Sequence, residues 1–430
     1  MANNAVLKKI VYKVELKFVS PINVSSGHEG MTDSDVIRDY DGKPFIPGTS
    51  IAGAFRDYAS NKNLIKNLVF GYSKDNDGKM SSVIISDLEF NDDPVINYRD
   101  SVALNDDMTT IDGAKFDFEA LEGENTKGCF YMELTIREDD NQELYANTIS
   151  EIISGIQRHE IRLGSNKTRG YGVIEVIKLQ KKEYTKDNYL EYAKAYKSNT
   201  WSDIKEENLD ELILDSKWVH IEVPLKQRGG ISIRKYLIEK DSPDYESITD
   251  HGLPVIPGTS FNGAIRHRVL DILRSLDGFD ASDVINEMFG FVNKDEAHVS
   301  RIIIDETVIN NTKPLKTVRT SVSRFEGAVK TGALYSEKTY VDGDLVLRIA
   351  VPKASEKDAI DENWIIGFIL LTIKDIQNGF LAVGGQTAIG RGLFKANGKI
   401  KIDGMEDRED EYISSSLSLY KKWRNYDHKN

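Results

Sequence analysis

The pentapeptide IPGTS occurs twice, at Ile46–Ser50 within PFIPGTSIAGAFR and at Ile256–Ser260 within PVIPGTSFNGAIRHR. Three further landmarks recur in the same order: Asp87 after SVIIS and Asp305 after SRIII, Gly113-Ala114 and Gly332-Ala333, and Gly170-Tyr171-Gly172 and Gly390-Arg391-Gly392. The paired landmarks stand 210, 218, 219 and 220 residues apart. Four ordered matches at a nearly constant offset imply a tandem duplication, so each half is read as a unit of its own. A chain of 430 residues accommodates two domains of about 200. Each is long enough to bury a core without disulfides or a structural metal.

Three bulk features narrow the class. Cys129 is the single cysteine and sits in an apolar GCFYMEL run, which reads as a buried thiol in a reduced, cytoplasmic protein. The N-terminal MANNAVLKKIVYKVEL lacks an apolar stretch followed by a small-residue cleavage site, and no window approaches the length of a membrane span, so export and membrane insertion are not expected. The net charge of −13 argues against indiscriminate binding of nucleic acid, which depends on phosphate neutralisation by Lys and Arg. It leaves room for a local basic track, because acidity is clustered near Asp92, in the KEENLDEL segment and in the DGMEDREDE run.

In the first half, Val11–Val24 alternates apolar and polar side chains as a half-buried strand does. IPG then makes a tight turn, and Thr49 or Ser50 is placed to cap the helix SIAGAFRDYASNKNLI. Strand patterns return at SSVIISDLEF and GCFYMELTI, and Ile149, Ile152, Ile153 and Ile156 have helical spacing. A glycine-rich loop, RLGSNKTRGYG, leads into a last strand. This order predicts an α+β fold of the ferredoxin-like kind, as in RNA recognition motifs. The second half repeats it with KWVHIEVPL, SFNGAIRHRVLDILRSL, HVSRIIIDETVI, DGDLVLRIAV, NWIIGFILLTIKDIQNGF and GGQTAIGRGLF. The expected organisation is a first domain over 1–180, a charged and partly helical connector over 181–216, a second domain over 217–402, and an acidic then basic tail over 403–430. The connector has too few Gly, Ser or Pro residues for a flexible tether.

Both IPGTS segments, each before a helix with a downstream Arg, together with the late G-x-G loops resemble the RAMP proteins of CRISPR systems. The resemblance is to the backbone subunits of type III effector complexes and covers most of both halves. TDSDVIRDYDGKPFIPGTSIAGAFR is similar to that family's stretch between first strand and first helix. YRDSVALNDDMTTIDGAKFDFEAL and VRTSVSRFEGAVKTGALYSEKTY are similar to its inserted, thumb-like hairpin. The fused arrangement resembles the double backbone subunits of type III-D systems. The resemblance implies binding to a guide CRISPR RNA, pairing of a complementary target RNA, and assembly with other type III effector subunits.

The motifs have a physical reading beside the resemblance. A turn that starts a helix at Ser50 or Ser260 presents backbone N–H groups suited to a phosphate, the alternative being an ordinary N-cap. Arg56 and Arg266 lie six residues further on and either reach a phosphate or form surface ion pairs. In the closing loops, Gly170, Gly172, Gly390 and Gly392 would let backbone approach RNA while Lys167, Arg169 and Arg391 neutralise phosphates. In the resembled family the thumbs displace bases of the guide–target duplex, and that resemblance makes Phe116, Phe118, Phe325 and Tyr335 candidates to pack on them, with a place in the core as the alternative.

In the resembled backbone subunits, an Asp in the loop before IPG is required for metal-dependent cutting of target RNA. Asp33 is the matching residue in the first half, and Asp241 the best match in the second, with Asp244 in reserve. Either carboxylate would hold a hydrated divalent cation, Mg2+ by expectation, and assist attack by the 2′-hydroxyl. An aspartate alone is too weak a base for that at neutral pH. For Asp33 the alternative is a loop-stabilising turn. Glu29, Asp35 and Asp39 read as supporting or solvent-facing groups. Two rival functions remain: a guide-processing endoribonuclease using His28 or His267, which would survive chelation, and a non-catalytic RNA-binding scaffold.

Overall fold

A computed structural model describes residues 5–25, 27, 30–59, 63–74, 77–105, 109–124, 126–195, 201–236, 242–277, 281–292, 296–353 and 363–427. The chain divides into two compact units, the first made of residues 1–105, 110–167 and 171–216 and the second of 217–430 with the short stretches 106–109 and 168–170. Among the described residues no helix is long and apolar enough to cross a membrane.

The principal elements of the first unit are β1 (Val6–Phe18), α1 (Gly48–Tyr58), β2 (Val83–Ile85), β3 (Ile96–Leu104), β4 (Thr110–Leu121), β5 (Lys127–Arg137), α2 (Gln142–Gln157) and β6 (Ile174–Thr185). The core sheet runs β2-β5-β1-β6, all antiparallel. The first core strand is therefore central, between the third and the fourth, as in a βαββαβ ferredoxin-like fold. Period-2 alternation sends Ile10, Tyr12, Val14, Leu16 and Phe18 into one core with Ile51, Phe55, Ile149, Ile152 and Ile156 of the two helices. The hairpin β3–β4, paired from Ile96↔Leu121 to Leu104↔Thr110, is inserted between the second and third core strands. It occupies the segment expected to form a thumb.

The second unit repeats the plan with β7 (Trp218–Arg228), β8 (Tyr245–Ser247), α3 (Gly258–Asp277), β9 (Ile303–Ile304), β10 (Lys313–Arg319), β11 (Tyr335–Val341), β12 (Asp344–Pro352), α4 (Asn363–Asn378), β13 (Leu393–Ala396) and β14 (Lys401–Ile402). Its sheet order is β9-β12-β7, with β13 and β14 sharing the far edge of β7. The hairpin β10–β11, from Lys313↔Val341 to Arg319↔Tyr335, is the second inserted thumb. The α+β, ferredoxin-like reading thus holds in both halves.

The described residues of the segments expected to be connector and tail are structured parts of their units. β6 continues to Thr185, a helix spans Tyr189–Ala195, and Trp201 packs with Val11 and Tyr184 on the face of the sheet opposite the helices. The Gln180 side chain donates to the carbonyls of Trp201 (2.8 Å) and Ile204 (2.7 Å) and fastens this cover down. The cause is aromatic: Tyr184, Tyr192 and Trp201 give a charged segment enough apolar surface to dock. At the other end, the tail forms α5 (Glu409–Asp427), whose Tyr420 is fully buried against Trp364 and Phe368 of α4. Gly367 permits that approach, since a Cβ there would meet Ser416 and the Tyr412 carbonyl. The half-buried Cys129 thiol is pushed up to about 11 by burial, which agrees with an inert rather than a nucleophilic cysteine.

Tyr420→Ala is expected to lower the stability of the second unit by about 3–5 kcal/mol, the usual cost of deleting a buried aromatic ring. Urea denaturation followed by tryptophan fluorescence checks this; an unchanged midpoint would show that α5 is an appendage.

Candidate RNA interface and cleavage site

Each IPGTS turn is built by backbone approach and not by a side-chain cap. Pro47 occupies the N-cap position and makes no side-chain hydrogen bond, so the capping expected of Thr49 or Ser50 is not found. Ser50 lies inside the first turn, half-buried, with its N–H bonded to the Pro47 carbonyl at 2.9 Å; Ser260 repeats this with Pro257 at 2.9 Å. The first helical N–H, that of Gly48, is already taken by Asp87 Oδ1 at 2.7 Å. Gly48 is required because a Cβ would overlap the Ile85 carbonyl, as one at Gly258 would overlap that of Ile304. This accounts for the IPGTS landmark in both halves and for Asp87 in the first. Arg56 and Arg266 are half-buried on α1 and α3.

The closing loops divide into a fixed part and an open part. Gly172 has φ +75° and sits between two backbone segments: its N–H donates to the Pro21 carbonyl and its carbonyl accepts from Leu163. Gly392, φ +74°, does the same between the Gly230 carbonyl and the Val383 N–H. A Cβ at either would overlap the carbonyl of residue 163 or 383. The backbone of these two glycines is thus committed to the fold, and the expected approach of RNA to it is corrected. Gly170 and Gly390 are also left-handed, and the surroundings of Gly390 are open. Each loop carries a left-handed non-glycine residue, Asn166 and Gln386, just before a short 3-10 turn. That turn reads Lys-Thr-Arg in the first half, with Lys167 half-buried and Arg169 exposed, but Thr-Ala-Ile in the second.

Arg391 is not a phosphate ligand at the surface. It is buried, and its Nη2 donates to Glu337 Oε2 at 3.2 Å, the two side chains being 6% and 1% exposed. The equivalent pair in the first half is Tyr171 and Phe118, whose rings meet edge-on at 5.7 Å within a small buried cluster. One contact between thumb strand and glycine loop is therefore apolar in the first half and ionic in the second. Phe118, committed to that cluster, is also removed from the candidates for base stacking. Phe116, stacked on it at 6.1 Å, is 36% exposed, Phe325 is fully exposed, and Tyr335 packs edge-on against Tyr245 at 5.9 Å.

The aspartates lie at the bases of the thumbs. Asp33 is exposed and exchanges hydrogen bonds with Asp117 of β4: its N–H donates to Asp117 Oδ1 at 3.1 Å, and the Asp117 N–H donates to Asp33 Oδ2 at 3.0 Å. It is not the local turn considered as its alternative; Asp35 and Asp39 play that part, the former accepting from Met31 and Thr32, the latter from Asp41 and Lys43. The hydrogen bonds from Thr32 and from the Met31 and Thr32 backbone hold the Asp35 carboxyl below its usual range. Buried Glu119 completes the joint, accepting Arg38 in two bonds of 3.0 and 2.9 Å and the Val36 N–H at 3.0 Å.

In the second half the same joint is made by Asp244. The Asp244 N–H donates to Ser336 Oγ at 3.1 Å and the Ser336 N–H to Asp244 Oδ2 at 2.7 Å, while β8 pairs with β11 at Tyr245↔Glu337. Lys338 forms an ion pair with Glu246 where the first half has Glu119 with Arg38. Bonds from the Ser336 backbone and hydroxyl hold the Asp244 carboxyl below its usual range. In the second half these bonds are made by Asp244, the reserve match; Asp241, the best match by sequence, lies outside the described residues, as do His28 and Glu29. His267 is half-buried on α3. Asp117 and Ser336 were not singled out by motif, although each follows its landmark glycine, Gly113 or Gly332, by four positions.

A family model of the RAMP superfamily matches residues 15–175 and again residues 243–395. The chain belongs to the RAMP superfamily. Both matched stretches contain an IPGTS turn, a thumb hairpin and a glycine loop, so this RAMP protein carries the family unit twice. Membership places it among CRISPR-associated RNA-binding proteins. No curated protein matches the chain.

The exchanged pair gives a direct test. Glu337→Phe should cost about 3–5 kcal/mol by leaving Arg391 buried without its partner, and the double variant Glu337→Phe/Arg391→Tyr, which copies the first half, should recover most of it. Denaturant midpoints of the two variants check this; equal losses would show that the two contacts are not equivalent.

Proposed function

We propose that this RAMP protein is a fused double backbone subunit of a type III CRISPR effector complex that binds guide RNA and cleaves paired target RNA at Asp33 and at Asp244. The observation that carries the reading is the repeated placement of one exposed aspartate at the base of each thumb, tied to the thumb strand by reciprocal hydrogen bonds. Guide CRISPR RNA, complementary target RNA and neighbouring type III subunits are the partners it needs.

The donor set fits a divalent cation of the magnesium kind, which takes one or two carboxylates and completes its shell with water and substrate phosphate. Asp33 Oδ2 is held by the Asp117 N–H, and among the described residues Oδ1 accepts no hydrogen bond. Asp33 would hold the cation, whose chemistry is to polarise the phosphate and favour ionisation of the 2′-hydroxyl. The chain's own part is positional: the thumb base fixes the carboxylate, and exposed Arg169, with Lys167, neutralises phosphates beside the first glycine loop. Because the nucleophile is a 2′-hydroxyl, RNA is cut and DNA is spared.

The test is cut mapping on a labelled complementary RNA with magnesium, using the reconstituted complex carrying the wild-type chain, Asp33→Ala, Asp244→Ala or both, after equal guide loading is confirmed. Each single variant should lose one cut and the double variant both, and chelation should abolish all cutting. Cutting that persists in the double variant would leave an RNA-binding scaffold; cutting that survives chelation would favour the histidine alternative. Arg169→Ala should make guide RNA binding, measured by filter binding, less dependent on salt, the slope falling by about 0.7 for each phosphate that the arginine neutralises.

A further inference from the structure

We propose that Asp117 and Ser336 are positioning residues that hold the cleavage aspartates of the first and second halves through the backbone N–H of Asp33 and Asp244; the proposal rests on the cleavage reading above. In each half the bond is made twice, in opposite directions. The thumb strand's N–H holds one carboxylate oxygen of the aspartate, while the thumb residue's side chain holds the aspartate's own N–H. The second bond fixes the loop backbone, and therefore the direction in which the carboxylate leaves it. An aspartate on an exposed loop has several rotamers and a mobile backbone, and a displacement of about 1 Å at a reacting group can cost about a hundredfold in rate.

The two halves supply independent instances. The thumb residue is a carboxylate in one and a hydroxyl in the other, so the shared property is acceptance of a hydrogen bond and not charge. Ser336 Oγ also donates to Asp244 Oδ2 at 3.0 Å, a bond that an ionised Asp117 cannot make. Around these bonds the loop is carried by the thumb strand: the Glu119 N–H reaches the Ser34 carbonyl at 3.1 Å in the first half, and β8 lies parallel to β11 in the second. The thumb and the loop that carries the aspartate are thus one joined element in each unit.

The experiment uses the full reconstituted complex and follows both cuts on one target RNA, so that each half is the internal control for the other's folding and guide loading. Asp117→Ala removes the acceptor but keeps the backbone bond to Asp33 Oδ2. It should slow the first-half cut about tenfold in kcat, with KM and the second cut unchanged. Asp117→Ser, which copies the second half, and Asp117→Asn should both recover the rate. Ser336→Ala should slow only the second cut. Hydrogen exchange of the free protein adds a readout that does not involve cleavage: amides around Asp33 should exchange faster in Asp117→Ala and at the wild-type rate in Asp117→Ser.

Wild-type cutting by Asp117→Ala, where Asp33→Ala is inactive, overturns the positioning role and leaves the cleavage reading standing. Loss of activity in Asp117→Ser and Asp117→Asn alike overturns it in favour of a role for the negative charge. If Asp33→Ala still makes the first cut, the cleavage reading fails and the positioning role fails with it.

Discussion

Each half depends on a few places where one backbone segment lies so close to another that no side chain fits between them. A Cβ at Gly48 or Gly258 would overlap a carbonyl of the second core strand, and one at Gly172 or Gly392 would overlap the carbonyl of residue 163 or 383. These approaches set where the first helix starts and where the chain turns into its last core strand. The helix start is secured in the first half by the Asp87 carboxylate on the Gly48 N–H, and the loop by bonds on both sides of Gly172. Backbone approaches of this kind leave no room for a Cβ, and at Gly172 and Gly392 positive φ adds a second restriction, so these residues are kept when a domain is duplicated. Side chains that merely need a complementary partner are under no such restriction.

The second consequence is visible wherever the two halves are superposed by sequence offset. The contact between thumb strand and glycine loop is Phe118 with Tyr171 in one half and Glu337 with Arg391 in the other. The thumb-base ion pair runs from Arg38 to Glu119 in one and from Lys338 to Glu246 in the other. A buried contact can pass between apolar and ionic forms if both partners change together, because removing only one partner of an ion pair strands a charge in the interior. The duplicated unit is thus a fixed backbone on which pairs of side chains have been rewritten.

That distinction explains how much the sequence disclosed. The strand–helix order was legible because it rests on alternation, the resemblance to RAMP proteins because it rests on backbone approaches that admit no side chain, and both thumb hairpins through that resemblance. The fate of Arg391 was not legible: a basic residue between two glycines in a loop reads as a phosphate ligand, and only the folded structure, which puts Glu337 of β11 beside it, shows the carboxylate it serves. The place of Asp244 was hidden for a similar reason, since its hydrogen bonds reach a strand some ninety residues away, about half a domain in sequence. Segment 181–216 and the tail looked like charged surface because their acids and lysines outnumber their aromatic residues. Four buried rings, Tyr184, Trp201, Tyr412 and Tyr420, suffice to dock them.

The rewritten pairs also bear on how an acidic chain handles an acidic ligand. With a net charge of −13, attraction to RNA must come from local basic groups and not from the overall field. Those groups are not shared equally between the closing loops. The first offers Lys167 and an exposed Arg169, whereas the second presents Thr387 and Ile389 at the same places and turns its one arginine inward. The backbone frame of the loop is the same in both, including the left-handed residue that precedes the 3-10 turn. On the proposed reading, loops of matching backbone conformation but different charge would differ in affinity for phosphate. On the proposed reading the first half then holds RNA partly by charge and the second mainly by shape and by its exposed thumb side chains, Phe325 foremost. Rising salt should therefore loosen the two halves' hold on one bound RNA to different degrees, the first before the second.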